Sequence, residues 1–404
     1  MDQQPAPQPD IARMNAYRLG RLRAELRARD LAGMVVVDAI NLRYATGSRN
    51  MQLWTLRSPA RYAFVATEGP VVMFEFAGCD HLLDGLGTID ERRVGTSFFY
   101  FTSGPRLRDK AARWAAEIAD LVRQHGGGNR RLAIDRVNPE GFQALAALGI
   151  EVVDGQEPVE QARCIKSDDE ILCLTQAIRA CEQGLQDLED ALVPGISENA
   201  LWSRLQATNI ATGGEYIETR LLSSGPRTNP WFQECGERAI QAGELVALDT
   251  DLIGRHGYFA DMSRTFLCGA GRATDAQRRL YALAQEQIAH NMALLRPGAS
   301  LKEIGERSWD MPDEYLPHRY MSLVHGAGLC GEFPYIPYRQ DYGTKGYDAV
   351  IQPGMTLCVE SFIGSVRGGE GVKLEELVLV TESGPVPLTR YRFDERLGGQ
   401  AAGV

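Results

Sequence analysis

The sequence predicts an α+β protein of two domains: a smaller α/β domain over residues 1–157 and a larger domain over 158–404 made of two similar halves. Three observations lead there. Strand and helix signals alternate through the first part of the chain. Later, two long helical stretches each stop at Pro-Gly, and a serine then opens a new helix. Between them, Glu244 to Phe266 sets three aspartates into what otherwise reads as buried strand. A length of 404 residues is enough for two domains with their own cores.

Taken in order, residues 1–10 are polar and Pro-rich and read as a disordered arm without the basic and apolar regions of a signal peptide. Ile11 to Arg29 reads as a helix, Leu31 to Asp38 as a buried strand, and Asn41 to Gly47 as a turn and strand start. Tyr62 to Ala66 and Pro70 to Phe76 read as two more strands. Phe98 to Phe101 reads as a core strand or an interface. Lys110 to Gln124 is helical until three glycines break it, and Pro139 to Ala147 is a helix between short strands. Ser167 with Glu170 forms a capping box for a long helix reaching about Leu192. That helix ends at Pro194-Gly195, with Ser197 following. A second, Thr274 to Leu295, ends at Pro297-Gly298, with Ser300 following. A domain of two such halves places a site at their seam.

Composition excludes several functions. The formal net charge is -10, which argues against nucleic acid or an anionic membrane surface as partner. No apolar run approaches the roughly 20 residues that span a bilayer. The eight cysteines are scattered without a CxxC pair, the pattern of a reduced, cytoplasmic protein.

The chemistry concentrates in acidic residues within apolar runs. Asp249 and Asp251 end one strand, and Asp261 lies on the returning one, so a hairpin brings Asp251 and Asp261 side by side. Two carboxylates aimed into a core repel and are costly to desolvate, and a cation removes both problems. His325 stands beside Gly326 and Gly328, Glu360 ends the run Met355 to Val359, and Glu375 and Glu376 interrupt another apolar run, with Lys373 available as partner for one of them.

These residues, in this order, resemble the pita-bread metallopeptidase family of methionine and proline aminopeptidases, prolidase and creatinase. The motifs that carry the likeness are Asp251, Asp261-Met262-Ser263-Arg264-Thr265-Phe266, His325-Gly326-Ala327-Gly328, Glu360 and Glu375. The first domain is similar to the creatinase-like N-terminal domain, most clearly at Asn41 to Gly47. The resemblance implies a pita-bread catalytic domain and two divalent metal ions. Asp261 and Glu375 would bridge the ions, Asp251 would hold one, and His325 with Glu360 the other. Oxygen ligands with one imidazole favour iron or manganese, with cobalt or zinc also accommodated. The resemblance also implies a homodimer.

The chain departs from the peptidase pattern at three points. Trp231 stands where a non-ligand histidine is expected, and Glu332 where a second is expected. The family's spacing between its first two metal aspartates falls between those of Asp249 and Asp251, so Asp249 is read as an additional ligand or as a group behind the ligands. These departures resemble one branch of the fold, the dimethylsulfoniopropionate lyases, in which a carboxylate just after the His-Gly-x-Gly segment serves as base. Here that position is Gly331, with Glu332 beside it as the candidate catalytic residue. Trp231 and Tyr320 are the candidate substrate-binding aromatics for a cationic group. The expected function is therefore cleavage of a small carboxylate-bearing zwitterion. The alternative is hydrolysis of Xaa-Pro peptides or of a creatine-like C–N bond.

Overall fold

The computed structural model describes residues 7–398 and divides between Arg163 and Cys164 into two compact units. Part of the arm expected over 1–10 lies outside the described residues. Asp10, at its end, instead caps the helix Ile11–Ala28 by accepting from the Arg13 N–H at 3.0 Å.

In the first unit a six-stranded mixed sheet runs in the order Glu91–Val94, Val71–Glu75, Tyr62–Ala66, Gly33–Val36, Arg131–Ile134, Glu151–Asp154. The central strands are apolar on both faces and buried on both. Two readings need correction. Asn41 to Gly47 is not a turn and strand start but most of a helix, Ala39–Thr46. The Asp38 carboxylate accepts from the N–H groups of Ile40 and Asn41, and Gly47 closes the helix at a φ of 76°. Phe98 to Phe101 is not a core strand. Phe98 turns inward, its ring 4.6 Å from that of Trp114, but Tyr100 and Phe101 begin a short helical turn with 72% and 81% of their surface exposed.

The unit ends at Arg163, beyond the boundary expected after residue 157. The helix Gln156–Arg163 is tied to Ile11–Ala28: Arg21 donates to the carbonyls of Gln161 at 3.0 Å and Ala162 at 3.3 Å.

The second unit shows the expected repetition in its backbone. After the helix Asp168–Ala191, the Gly195 N–H donates to the Ile240 carbonyl at 2.8 Å, and the Ile240 N–H returns to Ile196 at 2.9 Å. After the helix Asp275–Ala293, the Gly298 N–H donates to Ile351 at 2.9 Å and the Ile351 N–H returns to Ala299 at 2.9 Å. Ser197 and Ser300 then cap the helices Glu198–Ala211 and Leu301–Arg307. Each hook leads through a turn into a buried strand, Leu245–Asp249 in the first half and Thr356–Gly364 in the second. Each strand pairs antiparallel with the next long one, Ser263–Leu267 and Gly371–Thr381 respectively. The first strand belongs to a three-stranded sheet and the second to a five-stranded one, and a further small sheet holds Leu252–Ile253 and Phe259–Ala260. Asp249 faces Ser263 across the first pair, and Glu360 faces Glu375 across the second.

Candidate metal centre

The aspartates sit where strands end, whereas Glu360 and Glu375 face each other in mid-strand. The returning strand expected from Tyr258 to Phe266 is split into Phe259–Ala260 and Ser263–Leu267, with Asp261 and Met262 between. Opposite, Asp251 takes a φ of 37°, and its N–H approaches Asp261 Oδ1 at 3.4 Å. The Asp251 backbone thus borders the Asp261 carboxylate, as a hairpin allows, while the Asp251 side chain is not among the donor atoms grouped with Asp261. In the second half, His325 lies on Val324–Ala327, in register with Cys358 on the neighbouring strand. A register shift follows His325, and at Gly326 a Cβ would meet the Phe333 carbonyl at 2.3 Å, so only glycine fits.

These elements bring His325, Asp261, Glu360 and Glu375 together. His325 Nε2 lies 3.3 Å from Glu360 Oε1, 3.6 Å from Asp261 Oδ2 and 3.9 Å from Glu375 Oε1. The other oxygens of the glutamates are held from behind. Lys373 Nζ donates to Glu360 Oε2 at 2.6 Å and lies 3.5 Å from Glu375 Oε2 and 3.2 Å from Asp249 Oδ2. Ser263 Oγ, which accepts from Lys373 at 2.6 Å, is 2.7 Å from Asp249 Oδ1 and 3.0 Å from Glu375 Oε2. Asp251 accepts from the Thr219 hydroxyl.

Electrostatics follow from that crowding. Burial, then the neighbouring Glu375, Asp251, Asp249 and Glu360, raise the Asp261 carboxyl well above the usual range. Burial, then Glu360, do the same for Glu375. Burial and Asp249 lift Asp251 to about 7. For Asp249, burial acts upward, but the Lys373 ammonium and the Ser263 hydroxyl hold it below the usual range. Burial opposes charge on His325, while the adjacent Glu360 carboxylate, then Glu375, lift it to about 9.

The arrangement fits a divalent metal. Glu360 Oε1 and Glu375 Oε1 are buried and, among the described residues, have no aligned hydrogen-bond donor. Buried carboxylate oxygens without donors are costly, and both lie toward the imidazole. Donor atoms of Asp261, His325, Cys358 and Glu375 all lie within 4.8 Å of one another. Cys358 was not singled out in the sequence. It stands two residues before Glu360 on one strand, and alternation puts the two side chains on the same face. His325 keeps 18% of its side chain exposed, which leaves the centre a way in for a small molecule.

Glu332 is placed differently from the ligand candidates. It is buried and forms an ion pair with Lys166, a partner that sequence reasoning missed. Its carboxylate oxygens lie 2.6 Å from where a Cβ at Gly328 would be, so the glycine there makes room for them. Among the described residues, Gly331 has only His325 Nδ1, at 3.9 Å, within reach of a Cβ. Of the two aromatic candidates, Tyr320 carries the Lys373 ammonium 4.4 Å from its ring centre and stacks on the half-exposed Phe232 at 5.2 Å. Trp231 is buried against Phe362 at 5.9 Å.

Comparison with known proteins identifies the family. Residues 173–382 match metallopeptidase family M24, and residues 18–165 match the creatinase/prolidase N-terminal domain. The chain is 42% identical over 399 residues to the dimethylsulfoniopropionate lyase DddP of Roseovarius nubinhibens, covering 97% of this chain and 89% of that one. It is 40% identical over 398 residues to the DddP of Roseobacter denitrificans, with the same coverage. The probable dipeptidase PepE of Mycobacterium tuberculosis is 28% identical over 246 residues, 59% of this chain and 62% of that one. Among solved structures, the Xaa-Pro dipeptidase from Bacillus anthracis superposes with a TM-score of 0.75 at 21% identity, over 93% of this chain and 98% of that one. That likeness speaks for the fold.

Proposed function

Because the chain belongs to metallopeptidase family M24, with a creatinase/prolidase N-terminal domain, we propose that it is a dinuclear-metal lyase that cleaves dimethylsulfoniopropionate to dimethyl sulfide and acrylate. The observation that carries this reading is the 42% match to a lyase of that name over 97% of this chain, against 28% over 59% of it for a dipeptidase. Asp249, Asp251, Asp261, His325, Glu360 and Glu375 are the proposed ligands. Bound there, divalent ions would supply Lewis acidity and offset the charge of a substrate carboxylate.

The chain's own groups account for the rest. Lys373 and Ser263 hold the rear oxygens of Glu360 and Glu375, so the front oxygens stay aimed at the centre. Phe232, half-exposed and stacked on Tyr320, offers an aromatic face to the sulfonium end. Glu332 is the proposed base. It would take the proton from the carbon next to the carboxylate while the C–S electron pair leaves with sulfur. Iron or manganese is the proposed metal.

Two coarser features complete the reading. A homodimer is supported by the exposed Met51, Leu53, Tyr100 and Phe101, on two segments joined by the Trp54 and Phe99 rings 6.4 Å apart. Sedimentation at several concentrations tests it. The eight free cysteines support a cytoplasmic location, and among the described residues no helix is long and apolar enough to cross a membrane.

The function is tested by loading the protein with iron(II) or manganese(II), adding dimethylsulfoniopropionate and measuring dimethyl sulfide in the headspace. Release of the gas supports the reading. Full metal occupancy without the gas, together with turnover of Xaa-Pro dipeptides in a parallel assay, overturns it in favour of hydrolysis.

A further inference from the structure

We propose that Cys358 is a sulfur donor of the metal centre, which biases the centre toward a borderline divalent ion such as zinc, iron(II) or cobalt(II) over manganese. The inference rests on the reading of the His325 cluster as a metal centre and adds a ligand to it.

Position is the first argument. Cys358 pairs in register with His325 across adjacent strands and shares a sheet face with Glu360, two residues on. Its sulfur lies within 4.8 Å of donor atoms of Asp261, His325 and Glu375. The second argument is independent of the cysteine. Glu360 Oε1 and Glu375 Oε1 are fully buried without an aligned donor, so the space these groups share calls for a cation. Buried cysteine is common as a small apolar residue, and Cys173, Cys181 and Cys268 are also buried. Cys358 differs from them in belonging to the group of donors that can close on one ion.

Chemistry sets the consequence. Carboxylates and a single imidazole suit manganese as well as iron, whereas a sulfur ligand favours softer ions. As the sulfur–metal bond forms, the thiol S–H breaks and its proton leaves to solvent.

The test uses the full chain. X-ray absorption of the zinc-loaded native protein should show a sulfur shell at about 2.3 Å. A shell of nitrogen and oxygen alone overturns the proposal while leaving the metal centre standing. Cobalt-loaded protein should show a sulfur-to-metal charge-transfer band that is lost in Cys358→Ser and in Cys358→Ala. An unchanged band overturns it. In competition, Cys358→Ser should lose about tenfold in its preference for zinc over manganese, the scale of change seen when groups around a metal are altered. Equal preference counts against the proposal. If the native chain binds manganese but neither zinc nor cobalt, this proposal falls and the metal reading stands; if it binds no divalent ion, both fall.

Discussion

The Lys373 ammonium donates to Glu360 Oε2 at 2.6 Å, while the other oxygen of the same carboxylate faces His325 Nε2 at 3.3 Å. One glutamate therefore stands between a fixed internal cation and the place where an exchangeable one fits. Lys373 is completely buried. Removing it leaves Asp249, Glu360 and Glu375 without their shared counter-charge, and breaking a buried pair on one side costs about 3–5 kcal/mol. Lys373→Met should lower the melting temperature of the metal-free protein sharply, and added divalent metal should recover part of the loss. Melting curves with and without chelator check both.

Glu332 and Lys166 give a second prediction. Each single change, Glu332→Gln or Lys166→Met, should destabilise the protein, because it removes one charge of a buried ion pair. If Glu332 also takes the substrate proton, Glu332→Gln should lose turnover at least a hundredfold, while Lys166→Met loses far less at a temperature where both are folded. A double-mutant cycle in stability, run beside the kinetics, separates ion pairing from catalysis. Equal kinetic losses in both single variants would leave Glu332 as the structural half of a pair.

Metal removal should act on stability as well as on activity. With no cation, burial and mutual repulsion raise Asp261 and Glu375 together. An ion at a hundred times its dissociation constant stabilises the folded state by about 2.7 kcal/mol. A chelator titration followed by calorimetry should show a melting temperature that depends on free metal concentration. A melting temperature indifferent to metal argues against the centre.

The first unit carries a pH dependence of its own. Burial raises the Asp135 carboxyl to about 7, although it accepts from the Val37 N–H at 2.8 Å and from Asn41 Nδ2 at 3.0 Å. Its unfolded value is about 3.9. The folded state thus holds this proton longer than the unfolded one. The contribution is full below about pH 4 and is lost as pH rises through about 7. Denaturation at pH 5 and pH 8 should show the wild-type protein losing ground to Asp135→Asn between the two. A difference independent of pH contradicts this.

Much of the fold could be read locally. The Ser167–Glu170 capping box is present, and the helix Pro139–Ala147 has its expected bounds, because caps and prolines act within one turn. The ligand candidates were visible because charges interrupted apolar runs. Lys373 was visible as a partner for one carboxylate, but that it reaches three depends on how two sheets meet. Cys358 was hidden because a cysteine in an apolar strand looks like core. Lys166 was hidden because its partner lies 166 residues away. Asn41 to Gly47 was misread because the apolar pattern there is too short to separate helix from strand, and the Asp38 cap decides it.

The paired Pro-Gly hooks carry a mechanical consequence. Asp249, Asp251 and Asp261 hang from the first hook's half, and His325, Glu360 and Glu375 from the second's. Between the halves the chain runs through an exposed stretch at Ala270, Gly271 and Arg272. Neither half alone carries both the aspartates and the imidazole. A cation held by both sets would therefore be a clasp across the seam, gripping two covalently tethered pieces as it would grip two subunits. A chain cut at that stretch should hold together more firmly with the ion than without it.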